Sequence, residues 1–375
     1  VYLSSLQLHS FRNYDALRIA FSPGLNVIYG DNAQGKTNLL EAIYYLATGK
    51  SHRTSRDQEL IREGSESLTA KAAVTRRTGE ITVELAYGHQ SRKQLKINGI
   101  AERRITRLVG SLAAVFFSPD DLQLLKGSPS GRRRFLDIEL SQISQTYLHH
   151  LVSYNKVLVQ RNTLLKKENL DNSLLEIYDE QLITAGAQII SRRAEAVRRL
   201  SPIAASFHRT LAEGREELRL AYHSQATGPD SEAEITAIEG RLRVELQRVR
   251  REERRRQITL VGPHRDDIGF WIDERDARQY ASQGQQRTAV LALKLAELQF
   301  MAEEIQEPPI LLLDDVASEL DPHRRHYLLH AVQEGVQTFV SCTDLEDLMV
   351  RHWPEEHRLF HVSAGAIRLD DRRLV

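Results

Sequence analysis

The octapeptide Gly30-Asp31-Asn32-Ala33-Gln34-Gly35-Lys36-Thr37 constrains this chain more than any other feature. It matches G-x-x-x-x-G-K-[ST], a pattern that works only between a buried strand and a helix. Leu25 to Tyr29 before it is a compact apolar run. After it, Leu39, Leu40, Ile43, Tyr44 and Leu46 fall at helical spacing. The glycines let backbone N–H groups turn toward phosphate, and the helix N-terminus adds partial positive charge. Lys36 is placed to bridge the outer phosphates, and the Thr37 hydroxyl to ligate Mg²⁺. Chance gives the pattern about once per hundred chains of this length.

A chain of 375 residues with 41% hydrophobic residues is expected to hold two or three cores. Its single cysteine, Cys342, excludes an intrachain disulfide and paired-cysteine metal sites. The first ten residues lack a signal-peptide pattern, and no apolar run approaches a membrane span; the expected location is the cytoplasm. Basic and acidic residues balance to zero, so any nucleic-acid contact must come from patches.

The N-terminal third reads as short strands and turns, including Tyr2 to Leu8, Leu17 to Phe21, Leu68 to Val74, Glu80 to Tyr87 and Lys93 to Ile97. Asn98-Gly99 is a hairpin turn, and Ala113 to Phe117 is another strand. After the turn cluster Gly127 to Gly131, the sequence is mostly amphipathic helix to about Gln257. Leu242, Leu246 and Val249 mark one apolar face there. A strand at Glu217 to Tyr222 and a turn at Gly228-Pro229-Asp230 interrupt it. Strands are expected again at Ile258 to Val261 and Ile268 to Ile272. Ile310 to Leu313 and Thr338 to Ser341 are wholly apolar or small, as strands inside a parallel sheet are. The expected division is 1–127 and 258–375 as two halves of one α/β domain, with 128–257 as an inserted helical arm.

Two further segments carry chemistry. The strand ending in Asp314-Asp315 offers one carboxylate for Mg²⁺ and a second to polarise the attacking water. Ser318-Glu319-Leu320-Asp321 and Pro322 follow it directly. Ala281-Ser282-Gln283-Gly284-Gln285-Gln286 opens a helix, where serine and glycine can form either an anion site or a plain N-cap.

In this order the segments resemble the ABC ATPase heads of the SMC and RecF type, and specifically the RecF family of recombination mediators. The resemblance is carried by Phe11-Arg12-Asn13, Asn32 in the loop, Ser118-Pro119-Asp120-Asp121, and Gly127-Ser128-Pro129 with Arg132 to Asp137. Gly262-Pro263-His264-Arg265-Asp266-Asp267 and Asp314-Asp315 with Ala317 to Asp321 complete it. It implies a split ABC-type P-loop head with a mostly helical arm, and ATP contacts at Arg12, Asn13, Gly30, Asp31, Asn32, Ala33, Gln34, Gly35, Lys36, Thr37 and Asn38. Lys36, Asp314 and Asp315 would be catalytic, and Thr37 and Asp314 would hold Mg²⁺. Ser282, Gly284 and Gln285 would act in trans on ATP held by a second copy, with Ser318 and Asp321 as the D-loop. The family further implies an ATP-dependent homodimer that binds DNA gaps or duplex–single-strand junctions. With RecR and RecO it helps load RecA, and DNA-stimulated hydrolysis releases it.

Two departures stand out. Asp315 occupies a position where ABC heads commonly carry glutamate, one methylene longer, about 1.5 Å. Slow hydrolysis is expected, since catalysis tolerates little misplacement. Cys342-Thr343-Asp344 stands where transporter ATPases carry a histidine, which disfavours a transporter subunit; an SMC-like structural clamp is the nearer alternative. For DNA, the candidates are Lys50, Arg53 and Arg56 after the loop helix, with Arg132 and Arg133. The arginines at 248–256 read as a solvated face, with Arg248 paired to Glu252.

Overall fold

The computed structural model describes residues 1–226, 234–316, 321, 324–325, 327–328, 335–348 and 357–370. The turn expected at Gly228-Pro229-Asp230, and Ala317 to Leu320 with Pro322, lie outside the described residues. Along the chain run β1 (Tyr2–Phe11), β2 (Tyr14–Ala20), β3 (Leu25–Tyr29), α1 (Lys36–Thr48), β4 (Ser67–Arg76), β5 (Gly79–Gly88), β6 (Ser91–Ile97), β7 (Ile100–Glu102) and β8 (Ala114–Phe117). Then come α2 (Gln123–Lys126), α3 (Pro129–Ile143), α4 (Gln145–Leu165), α5 (Asn172–Leu211), β9 (Leu218–His223), α6 (Ile235–Arg256), β10 (Asp267–Ile272), β11 (Arg275–Asp276) and α7 (Ala277–Tyr280). The last are α8 (Gln283–Ile305), β12 (Ile310–Asp314), β13 (Thr338–Cys342), β14 (His357–Ser363) and β15 (Ala366–Asp370).

The chain divides into two units, 1–121 with 297–375, and 122–296. The second boundary therefore falls well beyond the expected 257. The reason is pairing: β10 runs antiparallel to β9, which keeps 258–296 with the helical arm.

The first unit holds two sheets. One is antiparallel, in the order β2-β1-β4-β5-β6-β7. Its β4 alternates strictly, with Leu68, Ala70, Ala72 and Val74 buried, as expected for a sheet covered on one face. The other has the order β15-β14-β3-β13-β12-β8, and all of it is parallel except β15. β8, β12 and β13 are buried at every position, which explains why they are apolar or small apart from the terminal Asp314. α1 contacts β8, β12 and β13 as well as β1, β4 and β5, and its residues 39–47 are all buried. Gln337 also joins the two sheets. Its side chain accepts from Leu3 N at 2.6 Å and donates to the carbonyls of Leu3 at 2.9 Å and Ser22 at 2.7 Å.

The second unit packs α3 to α6 around the sheet β11-β10-β9. Leu242 and Leu246 lie in a core with Ile183, Ala187 and Ile190, and Val249 packs against it, so that apolar face was read correctly. Ile258 to Val261 is not a strand. Gln257 ends α6 in the left-handed region (φ 57°). Side chains then satisfy the backbone: Asn162 accepts from Thr259 N, and Glu253 from Leu260 N, both at 2.8 Å. A segment supplied this way needs no ladder. On α6, Arg248 pairs with Glu245 and not with Glu252, which instead holds Arg255 and Arg256. In each pair the acid precedes the base, the order the helix dipole favours.

Three buried arginines tie this unit together. Arg161 reaches Asp179, Glu253 and Thr259. Arg193 reaches Asp137, Tyr147 and the Pro263 carbonyl. Arg132 forks onto Asp267 at 2.7 and 3.0 Å and donates to the carbonyls of Leu124 and Gly127. Two of them end on 262–267, a segment whose role the sequence left open. His264 there accepts from Tyr154 at Nδ1 (2.6 Å), and its Nε2 lies 3.1 Å from the Thr259 carbonyl. Burial lowers its pKa to about 4, so the neutral ring fits this role.

Replacing Gln337 with alanine removes three buried hydrogen bonds: the Leu3 N–H and carbonyl lose this partner, while the Ser22 carbonyl keeps the Asn26 amide at 2.9 Å. The expected loss is about 3 kcal/mol of stability in the first unit, read as a lowered denaturation midpoint.

Candidate functional site

The site forms where the parallel strands end, the usual place for ligands on such a sheet. β3 leads into 30–35 and α1 begins at Lys36. Gly30 (φ 144°) and Gly35 (φ 122°) both adopt conformations that side chains rarely tolerate. A Cβ on Gly30 would lie 2.4 Å from the Val362 carbonyl oxygen, and one on Gly35 would lie 2.6 Å from Asn13 Nδ2. Lys36 is buried, and its ammonium donates to the carbonyls of Gly30 and Asp31.

Residues far apart in sequence hold the loop in shape. Asn13 Nδ2 donates to the Gln34 carbonyl at 2.8 Å, and Tyr14 to the Gly35 carbonyl at 2.9 Å. From the β14–β15 turn, Ala364 N donates to Gln34 Oε1 at 2.6 Å and Gly365 N to the Gln34 carbonyl at 3.1 Å. Asn38 Nδ2 reaches Asn13 Oδ1 at 2.8 Å. Sequence reading missed Tyr14 and the 364–365 turn, because nothing local to either announces a partner.

Arg12, in the left-handed region at φ 53°, forks onto the fully buried Glu41 with both contacts at 2.8 Å, and also donates to the Glu59 carbonyl. Ser51 donates to the same carboxylate, and Arg53 lies 3.7 Å from it. Burial pushes the Glu41 pKa up, but hydrogen bonds from Arg12 and Ser51 hold it below the ordinary carboxylate value. Glu41 was not among the sequence candidates; only its central place on α1 could have singled it out.

Across the sheet, Thr37 Oγ1 donates to Asp314 Oδ1 at 3.0 Å, and Ser341 Oγ donates to the same oxygen at 2.7 Å. Burial raises the Asp314 pKa and the Asp315 carboxylate adds to this, while the two hydroxyls pull it down. Asp315 has φ 51°, and its N–H donates to Ser341 Oγ at 2.9 Å. Thr37 and Asp314 form the all-oxygen donor set that Mg²⁺ takes. With Lys36 and the backbone of 30–35, they fit a nucleotide carrying that ion. Ser341 is the residue that sequence reading overlooked, since it was seen only as the end of a strand.

The other candidates divide. Ser282, Gly284 and Gln285 lie in the second unit, at the start of α8. Ser282 is exposed; its Oγ accepts from Gln285 N at 3.3 Å, and Gln285 Oε1 accepts from Ser282 N at 2.7 Å. That is a reciprocal capping box. Asp321 is exposed and caps a helical turn through Arg324 N; Ser318 lies outside the described residues. Lys50 and Arg56 are exposed, whereas Arg53 also donates to Asn38 Oδ1 at 2.9 Å. Arg133 donates to the Asp266 carbonyl at 2.7 Å. Arg132 must be removed from the DNA candidates: it is 1% exposed, and all three of its nitrogens are engaged.

The chain is similar to known proteins over nearly its whole length. Residues 2–367 match the model of the RecF/RecN/SMC N-terminal domain family. The DNA replication and repair protein RecF of Symbiobacterium thermophilum is 72% identical over 374 residues, covering 100% of each chain. That of Bacillus subtilis is 43% identical, covering 98% of this chain and 100% of its own. A solved structure described as the recombination mediator protein RecF-ATP in the RecFOR pathway superposes with a TM-score of 0.91 at 36% identity. It covers 98% of this chain and 97% of that one. An Smc head bound to a winged-helix domain of ScpA matches at a TM-score of 0.57 and 16% identity, over 99% and 97% of the chains, which speaks to the fold alone.

Arg132→Ala takes the bidentate partner from Asp267, which keeps Arg278 at 3.3 Å and the Ile268 N–H, and it releases the carbonyls of Leu124 and Gly127. It should destabilise the second unit by about 2–3 kcal/mol while leaving the salt dependence of any DNA affinity unchanged, measured by parallel unfolding and DNA titrations.

Proposed function

This chain belongs to the RecF/RecN/SMC N-terminal domain family and, within it, to the RecF proteins, and from that premise we propose that it is an ATP-dependent, DNA-binding recombination mediator. The observation that carries the reading is the 3.0 Å hydrogen bond from Thr37 to Asp314. It joins the phosphate loop to an acidic strand end 277 positions later.

In this reading Lys36 leaves the Gly30 and Asp31 carbonyls and takes the outer phosphates of ATP. Thr37 and Asp314 hold Mg²⁺, which would neutralise charge on the transferring phosphoryl group. Asp315 orients the attacking water and accepts its proton. Arg12, Asn13 and Asn38 shape the nucleotide's surroundings through Glu41 and Gln34. Ser282, Gly284 and Gln285 complete the site of a second copy, so ATP drives dimerisation. Hydrolysis by this ATPase is slow and DNA-stimulated, and it releases the dimer. Ser318 and Asp321 would serve that junction as the D-loop. The dimer binds DNA at gaps or duplex–single-strand junctions and, with RecR and RecO, helps load RecA. It works in the cytoplasm, at the nucleoid; among the described residues no helix is long and apolar enough to cross a membrane.

Sedimentation with ATP and Mg²⁺ tests the nucleotide sandwich: the wild type should dimerise, while Lys36→Ala and Ser282→Arg stay monomeric. A wild type that remains monomeric with ATP and DNA overturns it. Turnover should stay far below the order of hundreds per second. For DNA, Lys50, Arg53 and Arg56 are exposed cations after α1, and Arg53 and Arg133 are partly committed to protein groups. Replacing Lys50 and Arg56 by alanine together should weaken binding to every sequence alike. It should also reduce the slope of log affinity against log salt by about two.

A further inference from the structure

We infer that Glu216 is a positioning residue for the Ser282 segment: it fixes the side-chain amide of Gln285 so that the Ser282 hydroxyl is presented to the nucleotide held by a second copy. The inference rests on the ATP-driven dimer proposed above and adds to it a residue outside the motifs.

The capping box alone leaves the Gln285 amide half specified. Its Oε1 accepts from Ser282 N at 2.7 Å, and its Nε2 must point elsewhere. Glu216 Oε1 receives Nε2 at 2.9 Å. A carboxylate only accepts hydrogen bonds, so it can face the NH₂ end of the amide and not the oxygen. Glu216 therefore selects the amide orientation in which Oε1 faces Ser282. With Ser282 N engaged and Ser282 Oγ accepting from Gln285 N, the hydroxyl proton remains for a phosphate oxygen. Ser282 is exposed, so a partner can reach it.

Glu216 is itself held. The neighbouring Glu217 N donates to Asp273 Oδ1 at 2.9 Å, and Asp273 N returns to the Glu217 carbonyl at 3.1 Å. Glu216 Oε2 lies 3.9 Å from Nε2 of His208, near the end of α5. The side chain is 24% exposed, so the bond to Gln285 is partly shielded from water. An unpinned amide would flip, turning NH₂ toward Ser282 N, donor against donor, and opening the box.

Sedimentation equilibrium with ATP and Mg²⁺ tests this on the wild type, Glu216→Ala and Glu216→Gln. A hydrogen bond to a charged group supports about a tenfold effect at each site. With two such sites per dimer, Glu216→Ala should weaken dimerisation about a hundredfold. Glu216→Gln can still accept through its own oxygen, so it should fall between. ATP affinity at dilutions where the protein is monomeric should stay within twofold for both, which a general folding defect would not allow. If the wild type dimerises and both variants match it, Glu216 has no positioning role and the dimer reading stands. If the wild type itself stays monomeric, the dimer reading and this inference fall together.

Discussion

β13 lies between β3 and β12, and its register places Ser341 beside Ile28 on one side and Asp314 on the other. One hydroxyl there donates to the Asp314 carboxylate and accepts from the Asp315 N–H. Because side chains alternate across a strand, a slip of one residue would turn Ser341 away and present an apolar neighbour. The strand would then offer Val340 or Cys342 to a buried acid, which would have lost a partner. The acidic pair, the left-handed turn at Asp315 and the reach of Thr37 are all arranged around that hydroxyl. The parallel core is therefore more than support: its register is part of the chemistry.

The second unit solves a different problem. It buries Arg132, Arg161 and Arg193 at 2% exposure or less, and each is paired with carboxylates and further oxygen acceptors. Buried ion pairs seldom add much stability over apolar packing, yet they are costly to break. Their geometry is strict, because a guanidinium fork accepts its partners in few directions. Here Asp137 from α3 meets Arg193 from α5, and Arg132 from α3 meets Asp267 at the start of β10. The helices are thus held in one register against 262–267. At Gly262 a Cβ would lie 2.3 Å from the Tyr154 hydroxyl, so the backbone must pass close to that ring.

Much of this was legible in the sequence, for physical reasons. The octapeptide, the apolar strand before Asp314 and the helical spacing after Thr37 are local signals, and local signals survive in a linear text. The apolar stripe of Leu242, Leu246 and Val249 is another. What stayed hidden is long-range. Ile258 to Val261 has the composition of a strand, but Asn162 and Glu253 claim its backbone from other elements. Arg132 reads as surface charge until Asp267, 135 positions away, is brought beside it. Gln34 is one letter inside a motif, yet the 364–365 turn clasps it. Tyr14, Glu41 and Ser341 belong to no pattern; their importance exists only once strands are paired.

The order of strands also bears on how the molecule comes into being. Among the described residues β3, which carries the phosphate loop, pairs only with β13 and β14, and both lie beyond residue 337. On the ribosome that apolar strand emerges well before its partners and must wait, edges open, until the residues beyond 337 have been made. Residues 122–296 are contiguous, rich in neighbouring helices, and can close on themselves in the meantime. Non-local pairing of this kind is slow and leaves sticky edges exposed. The split head is therefore the part of the nascent chain most in need of shielding, and it is sealed only when β13 and β14 arrive.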